Sequence, residues 1–101
     1  RKKTGATLQE MTPELAQGLE MNWRGLLVSS VDRGSAAAEA ELQRGMVITG
    51  MDGQTITDVR TAAKRLYTKA KGDKVVMDIV MPRHRGAFMQ YLQGRAELTI
   101  R

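Results

Sequence analysis

The spacing of the glycine-based turn signals is the feature that most limits what this chain can fold into. Gly34-Ser35, Arg44-Gly45 and Asp52-Gly53 leave only short segments between them. Asp-Gly between two short apolar runs is a strong hairpin signal, so we predict strands at Met46 to Met51 and Gln54 to Ile56. A chain of such short segments has more strands than a βαβ alternation would give, which argues against a doubly wound parallel sheet.

Two segments on either side of this region also have strand patterns. Gly25 to Val31 is rich in leucine and valine, and Lys74 to Met81 is a longer strand with valine, isoleucine and methionine. Because side chains alternate between the two faces of a strand, the acid at Asp78 assigns Val76, Asp78 and Val80 to the wetter face.

The last part of the chain is predicted to form a turn and then extended segments. Pro82 to Gly86 has the composition of a turn, and Phe88 to Leu92 follows it. Gly94 interrupts the pattern. The residues from Ala96 to Ile100 then alternate between apolar and polar, which predicts a half-buried strand.

Three helices are indicated by capping residues and by apolar spacing. A short helix begins at Thr12-Pro13 and ends near Gly18, because Thr12 can cap the helix and Pro13 suits its first turn. A second, alanine-rich helix is predicted from Ala36 to about Leu42. The third, from Asp58 to Ala70, has apolar residues at helical spacing and a basic polar face.

Composition excludes several kinds of chemistry. The 101 residues suit one domain, and with no cysteine and one histidine there is no thiolate for a metal or redox site. The acids show no ligand spacing, so we expect no metal and no other cofactor. A Ser-His-Asp arrangement would need His84 with Ser29, Ser30 or Ser35, but the arginines beside His84 disfavour the protonated imidazole. We predict that the chain is not an enzyme.

Charge is unevenly distributed along the chain. The net charge is +5, and the segment from Arg60 to Lys74 carries six basic residues against Asp73. Such a stretch could attract phosphate or anionic lipid, but few aromatic residues accompany it. We interpret it as the solvated face of a helix and expect no nucleic-acid partner. No stretch without a charged residue is long enough to span a membrane.

Two stretches of the sequence together resemble a known family. The first is GLLVSSVDRGSAAAEAELQRGMVITGMDG, from Gly25 to Gly53, and the second joins the helix beginning at Asp58 to the segment Gly72-Asp73-Lys74-Val75. This pattern resembles the PDZ domains of bacterial HtrA (Do-like, DegP/DegS-type) trypsin-like serine proteases. The segments Thr4-Gly5-Ala6 and Thr12-Pro13-Glu14-Leu15-Ala16 are similar to the lead-in of these protease PDZ domains.

The resemblance implies an α+β, mainly β fold. This is the PDZ-like, partly open barrel of five to six short strands capped by two to three helices, in the circularly permuted bacterial arrangement. Residues 1-101 would form a single PDZ domain, with Ala96 to Ile100 beside the Thr4-Gly5 loop. Since the chain starts at Arg1 without an initiator methionine, we expect a fragment of a longer protein whose protease domain lies upstream.

The resemblance also implies a binding site, because PDZ domains bind the free C-terminus of a peptide as an added antiparallel strand. One loop would offer N–H groups to the peptide carboxylate, the strand after it would pair with the peptide, and a helix would wall the groove. The implied residues are Thr4, Gly5 and Ala6 in the loop, Thr7, Leu8 and Gln9 on the strand, and Val59, Ala63 and Leu66 on the helix. The terminal ligand residue would be aliphatic or aromatic and of medium or large size.

Three positions depart from the family pattern. The residue before Gly5 is usually apolar and is Thr4 here, the usual glycine is Glu41, and the usual aspartate is Met46. Thr4 bears on function, because this position walls the pocket for the last ligand side chain. Glu41 and Met46 bear on stability and turn shape.

The function implied is a peptide-binding module that captures C-terminal or extended hydrophobic segments for an HtrA-like serine endopeptidase of protein quality control. Its partners would be C-terminal peptides or unfolded proteins, its own protease domain and sister subunits, in the bacterial periplasm or cell envelope. Three alternatives stay open. They are a PDZ-fold module for oligomer assembly without peptide binding, a basic surface for nucleic acid or anionic lipid, and a PDZ domain of another peptidase type, tail-specific or intramembrane.

Overall fold

A computed structural model describes residues 4–18 and 24–101, so that the starting residue Arg1 lies outside the described part. The elements are, in chain order, β1 Ala6–Glu10, α1 Pro13–Gly18, β2 Leu26–Val31, α2 Ala36–Glu39, β3 Val47–Met51, β4 Gln54–Thr55, α3 Val59–Tyr67, β5 Lys74–Arg85 and β6 Phe88–Thr99. This is the mainly β composition expected from the sequence. None of the helices in the described ranges is long and apolar enough to cross a membrane.

The strands form one open antiparallel sheet in the order β1-β2-β3-β5-β6, with β4 paired to β3. The segment from Ala96 to Ile100 is therefore hydrogen-bonded to β5, and it is not a paired neighbour of the Thr4-Gly5 loop. The residue that follows the segment contacts α2 and the turn before it. The Arg101 guanidinium donates to the Gly34 carbonyl at 2.7 Å and forms an ion pair with Glu39 at 2.6 Å.

The core lies on one face of the sheet and includes side chains from α2 and α3. Ala96, Leu98 and Ile100 are buried there, which confirms the alternation predicted for this strand. The largest fully buried side chains are Leu26, Ile48, Met51, Ile56, Met77, Leu98 and Ile100. Most of them come from the central strands, as expected for a sheet covered by helices on one side.

The expectation that Val80 faces solvent is wrong. Val80 is 4% exposed and packs with Val47, with Met11, Leu27 and Tyr91 against this pair. These side chains form a second, smaller cluster, separate from the main core. The sheet is thus covered locally on both sides, so a single acid in β5 does not define one wet face.

The turn expected from Pro82 to Gly86 is also wrong, because β5 continues to Arg85 and pairs with Phe88. The reversal is the two-residue connection Gly86-Ala87, where Gly86 has φ +62° as a primed hairpin turn requires. Pro82 lies beyond Val80, the last residue of β5 that pairs with β3. A strand with one neighbour tolerates proline, since it need not donate on both sides.

α2 and α3 both end earlier than predicted. α3 ends at Tyr67, with Thr68 as its C-cap. α2 ends at Glu39, and the chain turns at Glu41, which has φ +67°. This left-handed conformation costs an ordinary residue about 1–2 kcal/mol, which explains why the family pattern has glycine at this position.

Candidate functional site

A groove lies between the edge strand β1 and the helix α3. It contains a cavity of about 320 Å³. The lining residues are Thr4, Ala6, Thr7, Leu8, Val59, Ala62, Ala63, Leu66 and Tyr67. The structure thus brings together most of the residues named from the sequence. Gly5 and Gln9 do not line the cavity, since Gly5 faces the turn before α2 and Gln9 is exposed.

The helix wall of the groove is apolar and is held by a capped N-terminus. Asp58 accepts from the Thr61 N–H at 3.0 Å and from the Thr61 hydroxyl at 2.7 Å. These bonds from Thr61 hold the pKa of Asp58 below its ordinary value. On the groove side, Leu66 is buried and Val59 is 38% exposed. The wall therefore presents apolar surface that the fold itself does not fully cover.

The Thr4-Gly5 loop is held from two sides by the turn before α2. The Ala37 N–H donates to the Thr4 carbonyl at 2.8 Å, and the Asp32 N–H donates to the Gly5 carbonyl at 2.7 Å. Gly5 has φ +80°, and a Cβ there would lie 2.1 Å from the Cβ of Ser35. Only glycine fits this close approach at a positive φ.

Thr4 is buried inside the groove. It is the one polar residue classed as buried among those the structure describes, at 5% exposure. Its Oγ1 accepts a hydrogen bond from the Ala6 N–H at 3.3 Å. The Ala6 N–H, which the resemblance assigns to a ligand carboxylate, therefore already has a hydrogen-bond partner within the protein. This bond is long and weak.

The strand wall is β1, which pairs with β2 and has α3 on its other side. Its register shifts between Thr7 and Leu8. The Ser29 hydroxyl donates to the Thr7 carbonyl at 3.2 Å. Within the described part of the chain, the Thr7 Oγ1 is buried without a hydrogen-bond partner. Such an atom is costly in an apolar site unless it finds a partner.

Glu10 closes the other end of the groove, a feature that sequence reasoning missed. Its Oε2 accepts from the Val59 N–H at 3.1 Å, so the last residue of β1 is tied to the first turn of α3. The two residues are 49 positions apart, and no local spacing rule connects them. A carboxylate at a helix N-terminus is favourable because the helix dipole is positive there.

The residues tested for catalysis have structural contacts or lie far from the groove lining. His84 is exposed in the β5–β6 hairpin. Ser35 accepts from the Ala38 N–H at 3.1 Å as the N-cap of α2 and donates to the Asp32 carbonyl at 2.7 Å. In residues 4–18 and 24–101, no three of His, Cys, Asp and Glu are grouped as a metal site requires.

Several residues of the basic stretch pair with acids of the same chain. Lys69 lies 3.0 Å and Arg65 3.9 Å from the Asp52 carboxylate, which also accepts from the Val76 N–H at 2.9 Å. The Val76 bond and the Lys69 ammonium hold the pKa of Asp52 below its ordinary value. Lys74 pairs with Glu97 at 3.3 Å. These pairs reduce the charge left for an external phosphate backbone.

Comparison with known proteins places this geometry in a family. The PDZ domain family matches residues 1–80. A probable periplasmic DegP-like serine endoprotease of Chlamydia muridarum is 34% identical over 77 residues, and one of Brucella suis is 30% identical over 76. Each match covers 74% of this chain but only 15% of the relative. The serine endoprotease domain of these relatives lies outside the matched part.

Solved structures show the same fold. The HtrA-type protease AlgW with a decapeptide superposes with a TM-score of 0.71 at 28% identity, covering 97% of this chain and 29% of that one. The HtrA3 PDZ domain with a phage-derived ligand has a TM-score of 0.75 at 17% identity, covering 97% and 83%, and shows the fold alone. With a family match over most of its length and this architecture, the chain belongs to the PDZ domain family.

Proposed function

We propose that this domain binds the free C-terminus of a hydrophobic peptide, which adds to β1 as an antiparallel strand. The observation that carries the proposal is the apolar cavity beside the edge strand β1. The strand continues directly from the Thr4-Gly5-Ala6 loop. Strand addition would satisfy the outer backbone groups that alternate residues of the Thr7 to Gln9 edge present, and the loop would hold the carboxylate through backbone N–H groups.

The lining of the cavity supports a preference for an apolar last residue. Ala63 and the buried Ala62 and Leu66 leave space against α3, and Val59 adds apolar surface at the mouth. A medium or large aliphatic or aromatic side chain fills such a space with favourable burial of roughly 25 cal/mol per Å². The HtrA-type protease AlgW, solved with a decapeptide, supports peptide binding by a domain of this fold.

We further propose that the domain serves an HtrA-like serine endopeptidase in the bacterial periplasm or cell envelope. The names of the DegP-like relatives support this setting. There the domain captures C-terminal or unfolded segments, and it passes them to a protease domain upstream in the same polypeptide. Its own protease domain and sister subunits are then its contacts in the assembly, and protein quality control is the process served.

The test is a pair of NMR titrations with one peptide that ends in phenylalanine, first as the free acid and then as the C-terminal amide. We expect amide shifts confined to residues 4–9 and 59–66, and tighter binding of the acid, because a charge-assisted hydrogen bond is about twice as strong as a neutral one. Equal binding of acid and amide would contradict the carboxylate site.

A matched pair of variants locates the ligand. Ala63→Glu places a carboxylate in the cavity wall, where it fills space and repels the ligand carboxylate, and we expect at least about a tenfold loss of affinity. Ala70→Glu adds the same charge at an exposed position after α3 and should bind as the parent does. Equal losses of affinity in the two variants would show that the added charge acts from either position, and would contradict a ligand site at Ala63.

The distal part of the β5–β6 hairpin supports assembly as a second candidate function. Beyond Val80, β5 has no pairing with β3, and this ribbon carries Phe88 at 78% exposure and Leu92 at 41%. Exposed apolar side chains on a two-stranded ribbon favour contact with another subunit. Sedimentation analysis of the parent and of Phe88→Ser tests this, since self-association that the substitution does not weaken would contradict it.

A further inference from the structure

We infer that the Thr4 hydroxyl occupies the carboxylate-binding position of the groove and sets the gain in binding free energy that a ligand must exceed. The inference rests on the proposed function, and it concerns which ligand groups gain by entering the same site. A free carboxylate gains binding free energy by entering this position, whereas the neutral carbonyl of an internal segment does not. Thr4 is thus assigned as the residue that sets a cost common to every ligand group entering this position, which a carboxylate recovers more readily than a neutral carbonyl.

The geometry supports this role because the donor is shared. The Ala6 N–H, a donor of the loop, is bonded to Thr4 Oγ1 at 3.3 Å, and both residues line the cavity. A ligand oxygen can accept from this N–H only where the hydroxyl oxygen now lies. The hydroxyl is buried with its residue at 5% exposure, so water does not offer the N–H an equal alternative.

Two hydrogen bonds hold the backbone around Thr4 in place during this competition. Its carbonyl accepts from the Ala37 N–H at 2.8 Å, and the next carbonyl, of Gly5, accepts from the Asp32 N–H at 2.7 Å. With the backbone held on both sides, the remaining freedom is rotation about χ1 of Thr4, which moves Oγ1 away and brings the methyl group or hydrogen in. The hydroxyl is therefore displaced by rotation and not by unfolding of the loop.

The binding free energy that a ligand must supply follows from the exchange of one hydrogen bond for another. When an uncharged carbonyl replaces the hydroxyl, one neutral hydrogen bond is exchanged for another, and the net gain is near zero. When a carboxylate replaces it, a neutral bond becomes a charge-assisted bond, which is roughly twice as strong. Removing the hydroxyl should therefore increase the affinity for every ligand by the same factor.

The experiment compares the parent domain with Thr4→Val and Thr4→Ser. Valine has nearly the same shape without the hydroxyl, and serine keeps the hydroxyl as the matched control. Titration calorimetry with the free-acid peptide and its amide should show both binding about 3- to 10-fold more tightly to Thr4→Val, the size of one neutral hydrogen bond. Thr4→Ser, which keeps the hydroxyl, should not show this gain. Without ligand, the Ala6 amide should exchange faster in Thr4→Val alone.

The possible results separate the inference from the proposed function. If the parent binds the acid and Thr4→Val binds it more weakly, the hydroxyl donates to the carboxylate and the inference is overturned while the function stands. Unchanged Ala6 exchange in Thr4→Val would overturn it as well. If neither peptide binds any of the three proteins, the proposed function fails, and the role of Thr4 fails with it.

Discussion

The two edge strands of the sheet, β1 and β6, differ in what lies beside them. β1 has five residues, and α3 lies along it with an apolar cavity between them. β6 has twelve residues, and its exposed positions include Gln93, Arg95 and Glu97. Arg95 pairs with Asp78 at 3.1 Å, and Glu97 pairs with Lys74 at 3.3 Å.

This difference indicates what makes an edge strand a binding site. Both edges carry backbone groups that another strand could satisfy, and unprotected edges invite unspecific pairing. Charged side chains along β6 discourage such pairing, whereas the short β1 is bounded by a held loop at one end and by the Glu10–Val59 bond at the other. An edge becomes selective when a groove and a defined end accompany it.

The comparison predicts that β6 stabilises the fold through its second half and hardly at all through its first. Leu98 is fully buried, so Leu98→Ala should lower the free energy of unfolding by about 3 kcal/mol. Leu92→Ala, in the same strand at 41% exposure, should cost less than about 1 kcal/mol. Chemical denaturation measures both. A similar cost for the two would mean that the ribbon packs as firmly as the core.

Beside β1, the comparison predicts that the Thr4-Gly5 loop needs glycine at position 5 to keep its conformation. Gly5→Ala places a Cβ against Ser35 at φ +80°, and we expect a loss of about 2 kcal/mol in stability together with loss of peptide binding. The control is Gly34→Ala, which has φ +72° but no atom within 4 Å of the added Cβ, and should cost about 1 kcal/mol. If both variants bind peptide as the parent does, the loop is not the carboxylate site.

The smallest effect concerns the contact that ties the β3–β4 turn to β5. Asp52 accepts from the Val76 N–H, and because this bond and Lys69 lower its pKa, its charged form stabilises the folded state. That contribution is complete above the unfolded value near 3.8 and disappears as the pH falls through the lower folded value. Asp52→Asn should therefore cost roughly 1 kcal/mol at pH 7, and this cost should shrink as the pH falls through the lowered folded pKa. A pH-independent difference between the two proteins would contradict this origin.

Local signals in the sequence predicted the turns and caps well. The Asp52-Gly53 hairpin and the Thr12 cap of α1 both depend on contacts within a few residues. The rule that failed was also local, since Pro82 was expected to end β5. Whether β5 continues past Pro82 depends on where its pairing with β3 ends. That pairing ends at Val80, and it joins residues far apart in the sequence.

The candidate site follows the same division. The resemblance named most of the groove lining, because glycine, threonine and apolar helix positions lie in recognisable motifs. It did not indicate the Thr4–Ala6 bond or the bond between Glu10 and Val59, since rotamers and distant partners are set by packing. The burial of Val80 was missed for the same reason, because its cluster draws on β2, β3 and β6.

By itself the sequence determined the family, the mainly β class and turns such as Asp52-Gly53, because glycines, caps and apolar periodicity act over a few residues. Only the tertiary structure decided which backbone donors already have partners and how far the hairpin extends beyond the sheet. It also decided that the groove ends at a buried threonine. Those properties depend on contacts between residues distant along the chain, and no pattern of neighbouring residues contains them.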